Sequence, residues 1–176
     1  MDYQPAWQEN FRRLRDRIWP SVNDLAISIE HVGSTSVPGL AAKPVIDLDI
    51  VIPSLADLPA IVARLAPFGY EHQGNLGIED RAAFRSPPDL PDHHLYACPR
   101  DSIALRNHIA LRNHLCAHPS DVALYSELKK QIAEKFPRDI DRYVDGKTAF
   151  IVSILARCGF STGQLDRIQR ANAADS

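Results

Sequence analysis

At 176 residues the chain is long enough to bury a substantial core and is expected to form one domain. Its hydrophobic share of 45%, its charged share of 24% and a formal net charge of −2 suit a globular protein and give no global pull toward nucleic acid or anionic membrane. The opening residues carry no apolar leader, and the run Ala149 to Ala156 is too short to cross a bilayer, so a cytoplasmic protein without a membrane partner is expected.

Trp7, Phe11, Leu14 and Ile18 recur at helical spacing, and Pro20 is expected to end this amphipathic helix. Ser28 to Val32 reads as a short strand, broken by the small residues Gly33-Ser34-Thr35-Ser36. Val45 to Ile52 is rich in β-branched residues and predicts a second strand. Leu55 to Phe68 follows as a helix, with Ser54 as N-cap and Gly69 just past its end. Tyr70 to Gln73, Ala82 to Arg85 and His93 to Cys98 predict further strands, the last two separated by a proline-rich loop.

From Ser102 onward the pattern is helical in three segments, broken near Pro119 and Pro137. Leu124, Leu128, Ile132 and Phe136 give the second segment an apolar stripe, and Tyr143, Phe150, Ile151, Ile154 and Leu155 do so for the third. The tail after Phe160 is polar and expected to fray. Ala104 to His108 is echoed six residues later by Ala110 to His114, but that offset turns a helix through about 600°, so the copies face different ways. Cys98, Cys116 and Cys158 are odd in number and lack C-x-x-C spacing, as expected of reduced thiols. Strands in front and helices behind predict an α+β class, with a core over about residues 28–100 and a helical C-terminal part over about 101–160.

The chemistry concentrates in residues 30 to 52. Strand side chains alternate, so Asp47 and Asp49 point one way while Leu48, Ile50 and Ile52 point into the core. Two facing carboxylates repel and call for a proton, open water or a cation. A hard divalent ion, Mg²⁺ or Mn²⁺, is the expected cofactor, because such ions take carboxylates together with substrate phosphates. Gly33 and Ser34 lie ahead of the acids by twelve intervening residues, and backbone N–H groups at such a turn suit a phosphate.

This order of strand, Gly-Ser, spacer and D-x-D resembles the signature of the nucleotidyltransferase superfamily, the polymerase-β-like fold. The longer run His31-Val32-Gly33-Ser34 through Lys43-Pro44-Val45-Ile46-Asp47-Leu48-Asp49-Ile50-Val51 is similar to the GrpB family of that superfamily. The likeness extends to Asn107-His108, Arg112, Ala117-His118-Pro119, Tyr143, Lys147 and Phe150-Ile151. It implies a nucleotidyltransferase-like mixed sheet with packed helices. It also implies a nucleotide and a small-molecule acceptor as partners. Similar domains occur fused to dephospho-CoA kinase, which brings CoA-related ligands into view.

On this reading Asp47 and Asp49 are catalytic and hold the metal, Gly33 and Ser34 bind phosphate, and Lys43 and Arg81 supply charge. Active members usually carry a third acid on a later strand. Here His93 to Cys98 has none, and His94 stands in its place as catalytic residue and metal ligand. Imidazole ligates Mg²⁺ poorly and Mn²⁺, Zn²⁺ or Ni²⁺ well; as an alternative, His94 acts as a general base. His31 either lines the pocket or is hydrogen-bonded within its strand. His114 and His118 stand at zinc-compatible spacing but lack the H-E-x-x-H form, so a surface or capping role is expected.

Other classes fit less well. The Gly33 turn lacks the Gly-Lys-Ser/Thr ending of a P-loop, Ser34 is outside any G-x-S-x-G, and the strand continues past Asp49 where a dehalogenase-type phosphatase would turn into a loop. Two classes remain: a metal-dependent nucleotidyltransferase using an NTP, and a non-catalytic nucleotide- or metabolite-binding protein on the same fold.

Overall fold

The computed structural model describes residues 1–137 and 139–174. Helix α1 (Ala6–Val22) leads into strand β1 (Ser28–Val32), a single 3-10 turn (Ser34–Ser36) and β2 (Ile46–Ile52). Helix α2 (Leu58–Leu65) is extended at both ends by 3-10 turns, which together cover the helix expected over 55–68. Strands β3 (Glu71–His72), β4 (Ala82–Arg85) and β5 (His93–Pro99) complete the sheet. Helices α3 (Ile103–Ala117), α4 (Pro119–Lys135), α5 (Ile140–Arg157) and α6 (Thr162–Ala174) follow.

The sheet is mixed, in the order β1-β2-β5-β4-β3. Strands β2 and β5 run parallel at its centre, and the other neighbours are antiparallel. Leu48, Ile50, Ile52 and Leu95 are fully buried on one face against Trp7, Leu14 and Ile18 of α1 and Ile61 and Leu65 of α2. Each such side chain contributes roughly 1.5–3 kcal/mol, so this face holds the sheet to its helices. The opposite face carries Asp47 and Asp49 and is covered by α3, where Ala104 and Leu105 pack on Val51 and Cys98. A third cluster joins Val37 and Leu40 to Leu115, Tyr125, Ile154 and Leu155 and fixes the helices to the turn after β1.

Three expectations change. Pro20 does not end α1, which runs on to Val22. Pro20 and Asp16 both face water, so the carbonyl deprived of its N–H partner is hydrated at small cost. The buried stripe of α4 is Val122, Tyr125, Lys129 and Ile132, while Leu124 is 62% exposed. The tail after Phe160 forms α6 and buries Ile168 beside Phe160 and Leu155. Ser161 and Gln164 cap it reciprocally, the Gln164 N–H donating to Ser161 Oγ and the Ser161 N–H to Gln164 Oε1. That S-x-x-Q box was present in the sequence and marks a helix start.

Candidate functional site

Strand pairing builds the site. Val32 lies opposite Asp47 and Glu30 opposite Asp49 on β1, while His94 and Tyr96 lie opposite the same two acids on β5. All six residues therefore share the sheet face turned toward α3. Gly33 follows at φ 68° and ψ −171°, a conformation that L side chains rarely adopt. It brings the chain directly against Asp47.

The acids are not equivalent. Asp47 is half-buried, and its Oδ1 accepts a 2.9 Å bond from His94 Nδ1. Asp49 is fully buried; its Oδ2 accepts from His108 Nδ1 at 2.7 Å, and its Oδ1 has no partner among the described residues. The hydrogen bond that His94 donates to Asp47 raises its pKa above the ordinary histidine value, although burial opposes the shift. For His108 burial is the largest influence and acts downward, yet the Asp49 carboxylate outweighs it and the net shift is upward. Each acid thus has its own imidazole. His94 meets the pair through Asp47.

A cleft of about 290 Å³ opens at Asp47, which lines it together with Gly33, Ser34, Arg81, His108 and Lys147 among others; Asp49 is not part of its lining. Its positive charge comes from the helical half. Lys129, buried on α4, donates from Nζ to Ser34 Oγ at 2.9 Å. Burial and the neighbouring Lys147 push Lys129 down to about 7, against the pull of Asp47. Lys147 is lowered too, first by burial, with Asp47 opposing and Lys43 adding to the effect. Neither lysine forms a carboxylate ion pair among the described residues. Two amines whose charged forms are disfavoured in this way gain most when an anion binds between them. The turn at Ser34 is a single 3-10 turn, too short for a helix dipole to matter, so the lysines and not the turn's N-terminus carry the charge.

Arg81 is 7% exposed, stacks its guanidinium 4.3 Å over the Tyr96 ring, and leaves Nε without a hydrogen-bond partner among the described residues. Lys43 stands outside, exposed, with Nζ 5.2 Å from the Tyr143 ring. Its reach to the cleft is electrostatic, through Lys147. His31 is a strand histidine on the core side, opposite Leu48, its Nε2 bonded to Thr35 Oγ1 at 3.1 Å and its ring stacked on Phe11. His114 donates to Asp121 at 2.6 Å and stacks on His118, whose Nδ1 donates to the His114 carbonyl oxygen, as expected of structural histidines. The two echoed Asn-His copies do face different ways, and only His108 reaches the acids.

Sequence reasoning assigned no role to His108, Arg112, Lys129 or Lys147. Arg112 binds Glu30 Oε2 and the His31 carbonyl oxygen, both at 2.9 Å, and so anchors α3 to β1. His108, Arg112 and Lys147 had a signal, since each belongs to the family-like positions. Lys129 had none, because the stripe expected for α4 ran through Leu124, Leu128, Ile132 and Phe136 and passed it by.

Asp47 and Asp49 offer hard oxygen donors, and the unpartnered Asp49 Oδ1 fits a divalent ion completed by phosphate oxygens. Among the described residues no three His, Cys, Asp or Glu side chains converge as a ready metal cage.

A mixed sheet with D-x-D on its central strand beside a Gly-Ser turn defines a nucleotidyltransferase-like fold. The GLD-2/RNP-8 complex shares it, with a TM-score of 0.51 at 17% identity over 82% of this chain and 59% of that one. The chain belongs to the GrpB family, whose model, described as GrpB protein, matches residues 1–157. The crystal structure of conserved protein GrpB from Enterococcus faecalis superposes with a TM-score of 0.79 at 32% identity, covering 97% of each chain. UPF0157 protein YqkA of Bacillus subtilis is 33% identical over 85% of this chain, which spans 43% of YqkA's length. UPF0157 protein SCO7215 of Streptomyces coelicolor is 32% identical, over 90% of this chain and 82% of its own. A shorter stretch, 38% of this chain, is 38% identical to 17% of a dephospho-CoA kinase of Mycolicibacterium paratuberculosis. No described helix is long and apolar enough to cross a membrane.

Proposed function

We propose that this protein is a cytoplasmic nucleotidyltransferase that moves a nucleotidyl group from an NTP to a small-molecule acceptor. The observation that carries the reading is the acid pair on one strand face, Asp47 lining the same cleft as Ser34, whose hydroxyl accepts from Lys129, and Asp49 next to it with a buried Oδ1 that has no partner among the described residues. The acceptor oxygen forms a bond to the α-phosphorus, the α–β anhydride bond breaks, pyrophosphate leaves, and the acceptor's proton passes to solvent. Ser34, Lys129 and Lys147 receive the phosphates. Arg81 and, at longer range, Lys43 add positive charge. His94 and His108 orient the two acids. Asp47 and Asp49 would hold Mg²⁺ or Mn²⁺, which when bound neutralises charge on the transferred phosphate.

A second reading, a nucleotide or metabolite binder without turnover, is favoured by the two His–Asp pairs. Each carboxylate already has a partner whose raised pKa favours a positive charge. Pyrophosphate release from each of the four NTPs, with Mg²⁺ or Mn²⁺ and a panel of small acceptors, separates the readings. The stretch shared with dephospho-CoA kinase places CoA precursors in that panel. Release abolished by EDTA supports transfer. Saturable NTP binding with no release under any of these conditions supports the binder.

A further inference from the structure

A second chamber, of about 470 Å³, adjoins the cleft. Its walls are the loop before β4, the first turns of α3, and α6. Four residues line both spaces: Arg81, Asn107, His108 and Asn172. The transfer reading uses Arg81 and His108 from the side of the cleft and leaves the rest of this chamber unassigned, although it opens on the back of the same wall that holds His108 against Asp49. The size falls within the range of about 300–1,000 Å³ typical of small-molecule sites.

Its lining has two characters. Ile78, Ile103, Ala104, Ile168 and Ala171 form an apolar surface. Around it stand Arg81, Arg167 and Arg170 against Glu79 and Asp80, an excess of positive charge. Arg167 and Glu79 pair with each other and tie α6 to the loop. Arg170 has no ion pair among the described residues, its Nε donating to the Asp166 carbonyl oxygen at 3.2 Å. The buried Arg81 keeps its Nε unpartnered. A buried guanidinium nitrogen without an acceptor is costly unless a ligand supplies one.

We propose that this chamber is the acceptor site and that its ligand is a small anion with an apolar body, its charged group on Arg170 and Arg81 and its reacting end at the wall shared with the cleft. The inference rests on the transfer reading for the word acceptor; the anion site itself does not. Loop and helix supply the selectivity together, because both line the chamber and the Glu79–Arg167 pair ties them to each other. Helix α6 lies past residue 157, where the family match ends, so part of this selectivity is contributed by residues outside the matched span.

The test is amide shift mapping of the full chain titrated with phenyl phosphate and with benzoate, using benzyl alcohol as the neutral control. The expected result is saturable perturbation at Ile78, Ile103 and Ala171 by at least one anion, at concentrations where benzyl alcohol does nothing. Arg170→Ala should weaken that binding about tenfold, the loss of one charge-assisted hydrogen bond, and Ala171→Phe should fill the chamber and abolish it. Arg170 is exposed and Ala171 half-buried on α6, and thermal unfolding verifies that each variant folds. Perturbation confined to Gly33 and Ser34, equal binding of benzyl alcohol, or unchanged affinity in Arg170→Ala overturns the proposal. ATP binding is measured separately on the unmutated chain. Anion binding in the chamber without any ATP binding keeps the site and removes the transfer reading.

Discussion

Gly33 stands so close to Asp47 that a Cβ added to it would lie 2.0 Å from Asp47 Oδ2. The glycine is also at φ +68°, so a side chain is excluded twice, by conformation and by contact. The strand-to-turn corner and the first acid are one unit.

Gly33→Ala therefore displaces the carboxylate or the turn. Left-handed strain and overpacking together predict a loss of about 2–4 kcal/mol in stability, read by denaturant unfolding. NTP affinity should fall with it. Unchanged affinity in a folded Gly33→Ala protein would show that the Asp47–Ser34 geometry does not bind phosphate.

Asp49 controls His108. Burial alone would lower the histidine's pKa, and it is the Asp49 carboxylate that brings the net shift upward. In Asp49→Asn the burial remains and most of the attraction is removed, so the His108 pKa should drop, as followed by NMR titration of its ring protons. Turnover should disappear in the same variant, because an amide cannot replace the anionic oxygen that a divalent ion requires. Full activity in Asp49→Asn excludes a role for this acid in holding metal.

Lys129 predicts a proton linked to binding. Its pKa is lowered from 10.5 to about 7 by burial, so between these values the unfolded chain holds more protons than the folded one. Stability of the ligand-free protein should rise with pH across that window. Lys129→Met should flatten the rise and stabilise the ligand-free fold near and below neutral pH. A bound triphosphate restores the charge, so binding near pH 8 should take up close to one proton, measured as a buffer-dependent calorimetric enthalpy. In Lys129→Met the uptake should vanish and affinity fall about 10- to 100-fold. Equal enthalpy in all buffers for the unmutated protein would rule out Lys129 as a phosphate partner.

His31 makes the acid side of the stability profile. Burial lowers its pKa from 6.5 to about 4, so the unfolded state binds the extra proton as pH falls between these values. Stability should decline by roughly 3 kcal/mol from pH 6.5 to pH 4 on this account alone. His31→Gln should remove that portion of the slope. An unaltered slope would place the acid sensitivity elsewhere.

The local code was sufficient for the front of the molecule. Alternation along Ile46–Ile52 is a property of the strand itself, so the shared face of Asp47 and Asp49 and the core face of Leu48 and Ile50 were legible without coordinates. Gly33 was legible as a breaker, because its conformation is local. The partners of these residues were not. His108, Lys129 and Lys147 lie on helices 59, 95 and 100 positions beyond Asp49, Ser34 and Asp47 respectively, and nothing in helical periodicity says which strand a helix face will meet. Even the stripe of α4 was misread, since burial of Lys129 reflects what it packs against and not its own hydropathy. Secondary structure and the acid pair follow from short-range periodicity; charge compensation at the site is a long-range property, and only the packing of α3 on the sheet and of α4 and α5 against the turn after β1 decided it.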